Sequence, residues 1–176
     1  MKPTLAALAV FAAGCGGISY GHAPAYVPLD EERRVVESAR PYDADVVHHP
    51  EEWAKRRVTL FGIVESRSAG TGGQALLRLT VRALEPENLC KRKGDDDSCR
   101  VTVGDRDLGV VWVLAPLREE DDVGPRAIGQ RSLLRVLGSI GQDVSPADGA
   151  PIVHATWYRQ WPVSEYVTPA TASAVR

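Results

Sequence analysis

The sequence predicts a mostly β domain, a small barrel of five strands. Five segments are dense in β-branched and apolar residues, and clusters of glycine, proline, serine and aspartate separate them. A longer break, which contains an acidic run, lies between the third and fourth segments, and no internal repeat is visible. A closed or partly open barrel of the OB type accommodates these strands most simply, with one or two short helices before it.

The amino-terminal segment predicts export and lipid attachment. Lys2 gives a positive start, residues 5–13 are continuously apolar, and the small residues Ala13 and Gly14 precede Cys15. This apolar run is far shorter than the roughly 20 residues that span a bilayer. We therefore predict that residues 1–14 form a lipoprotein signal peptide and that the Cys15 thiol carries the lipid. The alternative is an ordinary secretory leader with a chance cysteine.

The segment after the lipidated cysteine predicts a tether and a short helix. Residues 15–45 begin with glycine, proline, serine and aromatic residues that show no periodicity, which is typical of a linker. Residues 30–40 could form a helix capped by Asp30, with acids at its positive end, and Pro41 would end it.

A second helix is predicted to begin at Pro50, because proline is favoured in the first turn of a helix. Trp53 is expected to pack this turn onto the barrel. The adjacent His48 and His49 are candidate metal ligands, but the side chains of neighbouring residues point in different directions and rarely bind one metal ion together. A capping or surface role is therefore the favoured interpretation.

The barrel domain is predicted at residues 46–163, and residues 164–176 form a tail. In the last strand, alternation assigns Trp157 to one face and His154 and Tyr158 to the other. The five predicted strands are residues 57–66, 74–84, 107–114, 131–140 and 151–160.

Two further cysteines, Cys90 and Cys99, predict a disulfide, because an even pair in an exported protein is typically oxidised. The alternative is free or metal-binding thiols. Eight residues separate the two cysteines, whereas paired zinc ligands usually have about two to four between them. Residues 91–98 are charged and favour a solvated hairpin tip over a calcium loop, since EF-hand spacing is absent.

No catalytic constellation emerges from the sequence. The glycines of residues 70–75 match a dinucleotide-binding fingerprint, but a period-two strand follows where that site needs a helix. The acids at residues 119–122 are predicted to form a solvated loop. His154 is interpreted as an ordinary strand residue rather than a base. We therefore expect no catalytic residue, metal or cofactor, and no enzymatic activity.

The charge balance and the aromatic content predict the class of partner. A formal net charge of −2 argues against nucleic acid, whose binders usually carry a basic face. Four tryptophans and five tyrosines can fill the barrel or line its mouth. Trp112, Trp157 and Tyr158 are the candidate ligand-binding residues, and a glycan is the candidate ligand.

Several segments also carry a family resemblance. The motif Pro50-Glu51-Glu52-Trp53 precedes a strand that contains Gly62, and residues 77–84 and 129–138 supply further strands. The most specific segment is residues 150–162, which close with Trp-Pro. With the lipidation motif, these segments resemble the starvation-inducible outer-membrane lipoproteins of the Slp type.

The resemblance implies a location and a fold, and no catalytic residues. We expect a non-enzymatic lipoprotein of the periplasm and cell envelope, held at the outer membrane by palmitate and related acyl chains on Cys15. Its role would be structural, or binding of an envelope protein or a glycan. Gly16, which stands where an aspartate would signal retention, agrees with outer-membrane sorting.

Overall fold

The computed structural model describes residues 22–24, 26, 28–85, 87–89, 101–163 and 165–171. Cys15, Cys90 and Cys99 lie outside these residues, so the lipid and disulfide predictions stay predictions. The strands are β1 (His22–Pro24), β2 (Arg40–Pro41), β3 (Arg57–Ala69), β4 (Ala75–Leu84), β5 (Glu87–Leu89), β6 (Val101–Ala115), β7 (Leu133–Val144), β8 (Pro151–Trp161) and β9 (Tyr166–Val167). The α-helices are α1 (Asp30–Val36), α2 (Pro50–Trp53) and α3 (Glu119–Asp122), and 3-10 turns cover Ala44–Val47 and Thr71–Gly73.

The five long strands close into a barrel in the order β3-β4-β6-β8-β7, and β7 pairs again with β3. All of these pairs are antiparallel except β6 with β8, which is parallel. The long connection between β6 and β7 makes this arrangement possible, because it carries the chain past the position that β8 later fills. The predicted mostly β, five-stranded OB-type fold is confirmed.

The barrel interior is filled by aliphatic side chains at alternate strand positions. Trp53 of α2 is 1% exposed and packs against this core, as its sequence position predicted. The guanidinium of Arg40 lies 4.1 Å from the centroid of the Trp53 ring. The strand residues of the core include Val58, Leu60, Val64, Leu77, Leu79, Val81, Val111, Val113, Leu134, Val136, Val153 and Ala155.

The first helix differs from its prediction at both ends. α1 is seven residues long, and its cap is Leu29 instead of Asp30. The reason is that the Glu32 carboxylate accepts a hydrogen bond from the Leu29 backbone N–H at 3.1 Å, which fixes the helix start one residue earlier. In the described part of the chain, no helix has the length and apolar character needed to cross a bilayer.

A β-bulge in β8 corrects the predicted faces of the last strand. Leu137 pairs with Trp157 and the next residue, Gly138, pairs with Ala155, so Thr156 is the extra residue. Because one added residue reverses the alternation, Tyr158 joins the barrel core and Trp157 lies on the outside. The sequence-based assignment of Tyr158 and Trp157 was therefore wrong.

The acidic run also differs from its prediction as a solvated loop. It forms α3, and Asp121 is only 3% exposed. Its carboxylate accepts hydrogen bonds from the Tyr158 hydroxyl at 2.8 Å, from the Arg118 Nε at 2.7 Å and from the Gln160 amide. These donors satisfy the charge where the chain leaves β6, so one of the four acids can be buried there.

Elements outside residues 46–163 also pack on the barrel. β9 pairs in parallel with the start of β6, and Val167 is fully buried. β1 and β5 form a separate two-stranded sheet. α1 lies against the outer face of β7 and β8, where Glu32 contacts Arg135 and Arg159.

A substitution at Gly138 tests whether β7 and β8 approach each other as closely at the bulge as the structure shows. A Cβ at this position would collide with the carbonyl oxygen of His154 and lie 2.8 Å from Val153 Cγ1. We expect Gly138→Ala to lower the free energy of unfolding by about 1–3 kcal/mol, as overpacking does. Urea unfolding measures this loss. Gly129→Ala is the matched control, because its nearest neighbour is 4.0 Å away; equal losses in both variants would contradict the packing.

Candidate functional site

The outer face of β4, β6 and the start of β8 carries an aromatic side chain among aliphatic and charged neighbours. Two cross-strand rows lie side by side there, one running through Arg78, Trp112 and Ile152 and the other through Leu76, Leu114 and His154. Their chain neighbours point into the core, so alternation places these six residues outside. His154 is exposed and the other five are half-buried. We call these six residues the Trp112 face.

The indole of Trp112 is held in place by a turn residue. Its Nε1–H donates to the Asp148 carboxylate at 2.8 Å, and the Arg78 Nε donates to the other oxygen of Asp148 at 2.9 Å. Asp148 also accepts from the backbone N–H of Ala150 at 3.2 Å. Three donors thus fix one carboxylate, which restricts the orientation of the aromatic ring before any ligand arrives.

The charge around Trp112 is dominated by carboxylates. Arg78 also pairs with Glu65, which lies where the register of β3 shifts and accepts a hydrogen bond from Thr80. Burial acts to raise the pKa of Asp148, but the hydrogen bonds from Trp112 and Arg78 outweigh it, so this pKa is lowered. One guanidinium therefore serves two carboxylates at this face.

The structure separates the three predicted ligand-binding residues. Trp112 is half-buried on the outer face of β6, and Trp157 lies on the outer face of β8, where its Nε1–H donates to Glu31 at 3.2 Å. Tyr158 is inside the barrel, and burial raises the pKa of its hydroxyl. Of the three, only Trp112 belongs to the Trp112 face.

Sequence reasoning missed Arg78 and Asp148 as partners of the tryptophan. Arg78 stands at a polar position of an alternating strand, and Asp148 lies in a turn. They are 70 residues apart in the chain. No local spacing signals such a pair, and only the fold brings them together.

His48, His49 and His154 take surface positions. No hydrogen bond or ion pair within the described residues joins His154 to a carboxylate, and His49 lies 3.7 Å from Asp45. In the same part of the chain, no three histidine, cysteine or acidic side chains converge as a ligand set. The described residues thus contain neither a base paired with an acid around His154 nor a metal cluster.

Comparisons with known proteins give structural neighbours alone. No family model matches the chain, the Slp type included, and no curated protein matches it. Replication protein A of U. maydis, solved bound to single-stranded DNA, is 12% identical, covers 78% of this chain and 86% of its own, and has a TM-score of 0.35. A Klebsiella pneumoniae lipoprotein to which nucleic-acid binding is attributed is 15% identical, covers 77% of this chain and 100% of its own, and has a TM-score of 0.37. The Thermus aquaticus single-stranded DNA-binding protein is 18% identical, covers 60% of this chain and 50% of its own, and has a TM-score of 0.32.

These neighbours correct one prediction and agree coarsely with another. All three bind, or are described as binding, nucleic acid, which contradicts the sequence-based statement that nucleic acid is not a partner. That statement rested on the net charge of the whole chain, which does not describe the charge of any one surface. One neighbour is itself a lipoprotein. At these identities the likeness concerns the fold and leaves the ligand of this chain open.

The lowered pKa of Asp148 predicts how the Trp112 contact depends on pH. The carboxylate is charged above its ordinary pKa of 3.8, and both hydrogen bonds are then fully present. Because the folded-state pKa is lower still, we expect the contact and its stabilisation to be lost only as the pH falls through that lower value. The NMR shift of the Trp112 indole N–H measures this transition. A midpoint at or above 3.8, or the same transition in Asp148→Asn, would contradict the arrangement.

Proposed function

We propose that this protein is a non-enzymatic lipoprotein of the bacterial outer membrane that binds its ligand on the Trp112 face. The observation that carries the binding role is the half-buried indole whose polar edge is fixed by Asp148. Aromatic residues with an apolar body and a fixed polar tip are typical of recognition surfaces. The anchor rests on the leader and on Cys15, and the Slp-type resemblance of the barrel supports the same location.

The chemistry of the Trp112 face favours a neutral ring ligand, and we assign an envelope oligosaccharide. A sugar ring has an apolar side that can stack on the indole, and Leu114 and Ile152 extend the apolar surface beside it. Its hydroxyl groups can donate to carboxylates and accept from a guanidinium, and Arg78 and Asp148 supply these groups at the rim. The excess of carboxylates gives the face a negative local charge, so a neutral ligand meets no repulsion.

The lipid anchor is tested by metabolic labelling with radioactive palmitate. We expect the full-length protein to incorporate the label and to fractionate with outer membranes. Cys15→Ser should lose both properties, because serine cannot form the thioether. Cys90→Ser is the control and should keep the label. An unlabelled wild-type protein would contradict the anchor.

Ligand binding is tested with glycan strands released from peptidoglycan, followed by calorimetry. Trp112→Ala should weaken binding by about tenfold or more, since buried aromatic anchors contribute most at such sites. Trp157→Ala is the matched control, because it removes an equal ring from a different part of the outer surface, and it should bind like the wild type.

Two results would contradict this assignment. If Trp112→Ala binds the glycan like the wild type, the Trp112 face is not the site. If a single-stranded oligothymidylate binds the wild type and the glycan does not, the ligand class is wrong, and the OB barrel serves a different partner.

A further inference from the structure

Two arginines face each other on the outer face of β7 and β8. Arg135 of β7 and Arg159 of β8 are directly paired across the antiparallel ladder, and their side chains are 10% and 23% exposed. Like charges in this position repel one another, and burial strengthens the repulsion because it removes water. Such a pair requires an anion close by.

The anion is supplied by the amino-terminal segment. Glu32 of α1 is fully buried, and its carboxylate pairs with Arg135 and lies 3.3 Å from the Arg159 Nη1. The same carboxylate accepts hydrogen bonds from the Tyr26 hydroxyl and the Leu29 N–H. One carboxylate therefore serves two guanidinium groups, so the cluster keeps an excess positive charge.

The arginines have other contacts that hold them in place. The Arg159 guanidinium lies 4.7 Å from the centroid of the Trp161 ring, and the Arg135 guanidinium lies 5.1 Å from that of Phe61. Arg135 also donates to the Thr59 hydroxyl at 3.4 Å. Because Phe61, Trp161 and Thr59 belong to barrel strands, these contacts of the two arginines do not depend on α1.

The segment that brings Glu32 is held on the barrel by a small set of side-chain contacts. α1 has seven residues, and Glu32 is its one buried residue. Helices this short are marginal unless packing holds them. Two further contacts hold this segment on the barrel, because Trp157 Nε1–H donates to Glu31 and the Tyr26 ring packs against barrel aromatics. The Glu32 carboxylate is the contact that an external anion can replace.

We propose that Arg135 and Arg159 form an anion-binding site for the phosphate or carboxylate group of an external ligand, and that Glu32 occupies this site in cis. α1 then blocks the site with its own side chain, and an incoming anion competes with Glu32 for the same two guanidinium groups. Fork-shaped guanidinium groups match both anions. The site lies on a different outer face from Trp112, so it stands independently of the proposed glycan binding.

The test measures binding of inorganic phosphate to the full-length protein in detergent, at constant ionic strength adjusted with sodium chloride. Glu32→Gln keeps the size of the side chain and removes the competing charge. We expect it to bind phosphate at least about tenfold more tightly than the wild type, since charge-assisted hydrogen bonds are the strong ones. Glu31→Gln is the matched control, because it removes an exposed charge from the same helix and should leave phosphate binding unchanged.

A second variant and a wild-type measurement keep the proposal falsifiable. Glu32→Gln combined with Arg135→Gln should lose the added phosphate binding. In the wild type, high phosphate should speed hydrogen exchange of the Leu29 amide relative to chloride, because that amide is released with Glu32. Equal binding by Glu31→Gln and Glu32→Gln would overturn the proposal. If Glu32→Gln does not fold, an unchanged exchange rate in the wild type would overturn it.

A further binding experiment distinguishes a lipid headgroup from free phosphate as the ligand. It uses phosphatidylcholine vesicles that contain phosphatidylglycerol. Binding of Glu32→Gln to both inorganic phosphate and these vesicles supports a general phosphate site. Binding to the vesicles alone, lost in the double variant, supports a lipid headgroup as the ligand. Vesicle binding that persists in the double variant would contradict a role for Arg135.

Discussion

Closure of the sheet by β3 is the constraint on which the rest of the structure depends. One side of this strand pairs with β4 and the other with β7, and the sheet thereby encloses its aliphatic core. Gly62 permits the close approach, since a Cβ there would lie 2.9 Å from Leu79 Cβ. Closure also creates two different outer faces. The amino-terminal segment covers one through Glu32, and the other presents Trp112.

Alternation in the sequence was sufficient to predict the barrel, but it could not predict local register. Four of the five strands lie within a few residues of their predicted bounds. The third is longer, because Asp105 and Arg106 interrupt its apolar pattern although they remain in the strand as exposed residues. The bulge at Thr156 left no signal in residue type, and it moved Tyr158 into the core and Trp157 out of it.

The candidate sites depend on pairs that are remote in sequence. Glu32 and Arg135 are 103 residues apart, and Arg78 and Asp148 are 70 apart, so composition shows these groups without showing their partners. The net charge of −2 is an average over unlike surfaces. The average conceals the basic cluster around Glu32, which has two arginines and one acid, and the acidic cluster around Arg78, which has two acids and one arginine. For this reason the net charge was a poor guide to the partner.

The central claim is that the proposed glycan ligand is recognised on the Trp112 face. The four tryptophans give four indole N–H signals in an NMR spectrum, two of them from rings on different outer faces. Titration of the wild-type protein with peptidoglycan glycan strands should move the Trp112 signal and leave those of Trp53, Trp157 and Trp161 in place. A shift of the Trp157 or Trp161 signal with Trp112 unchanged would contradict the account.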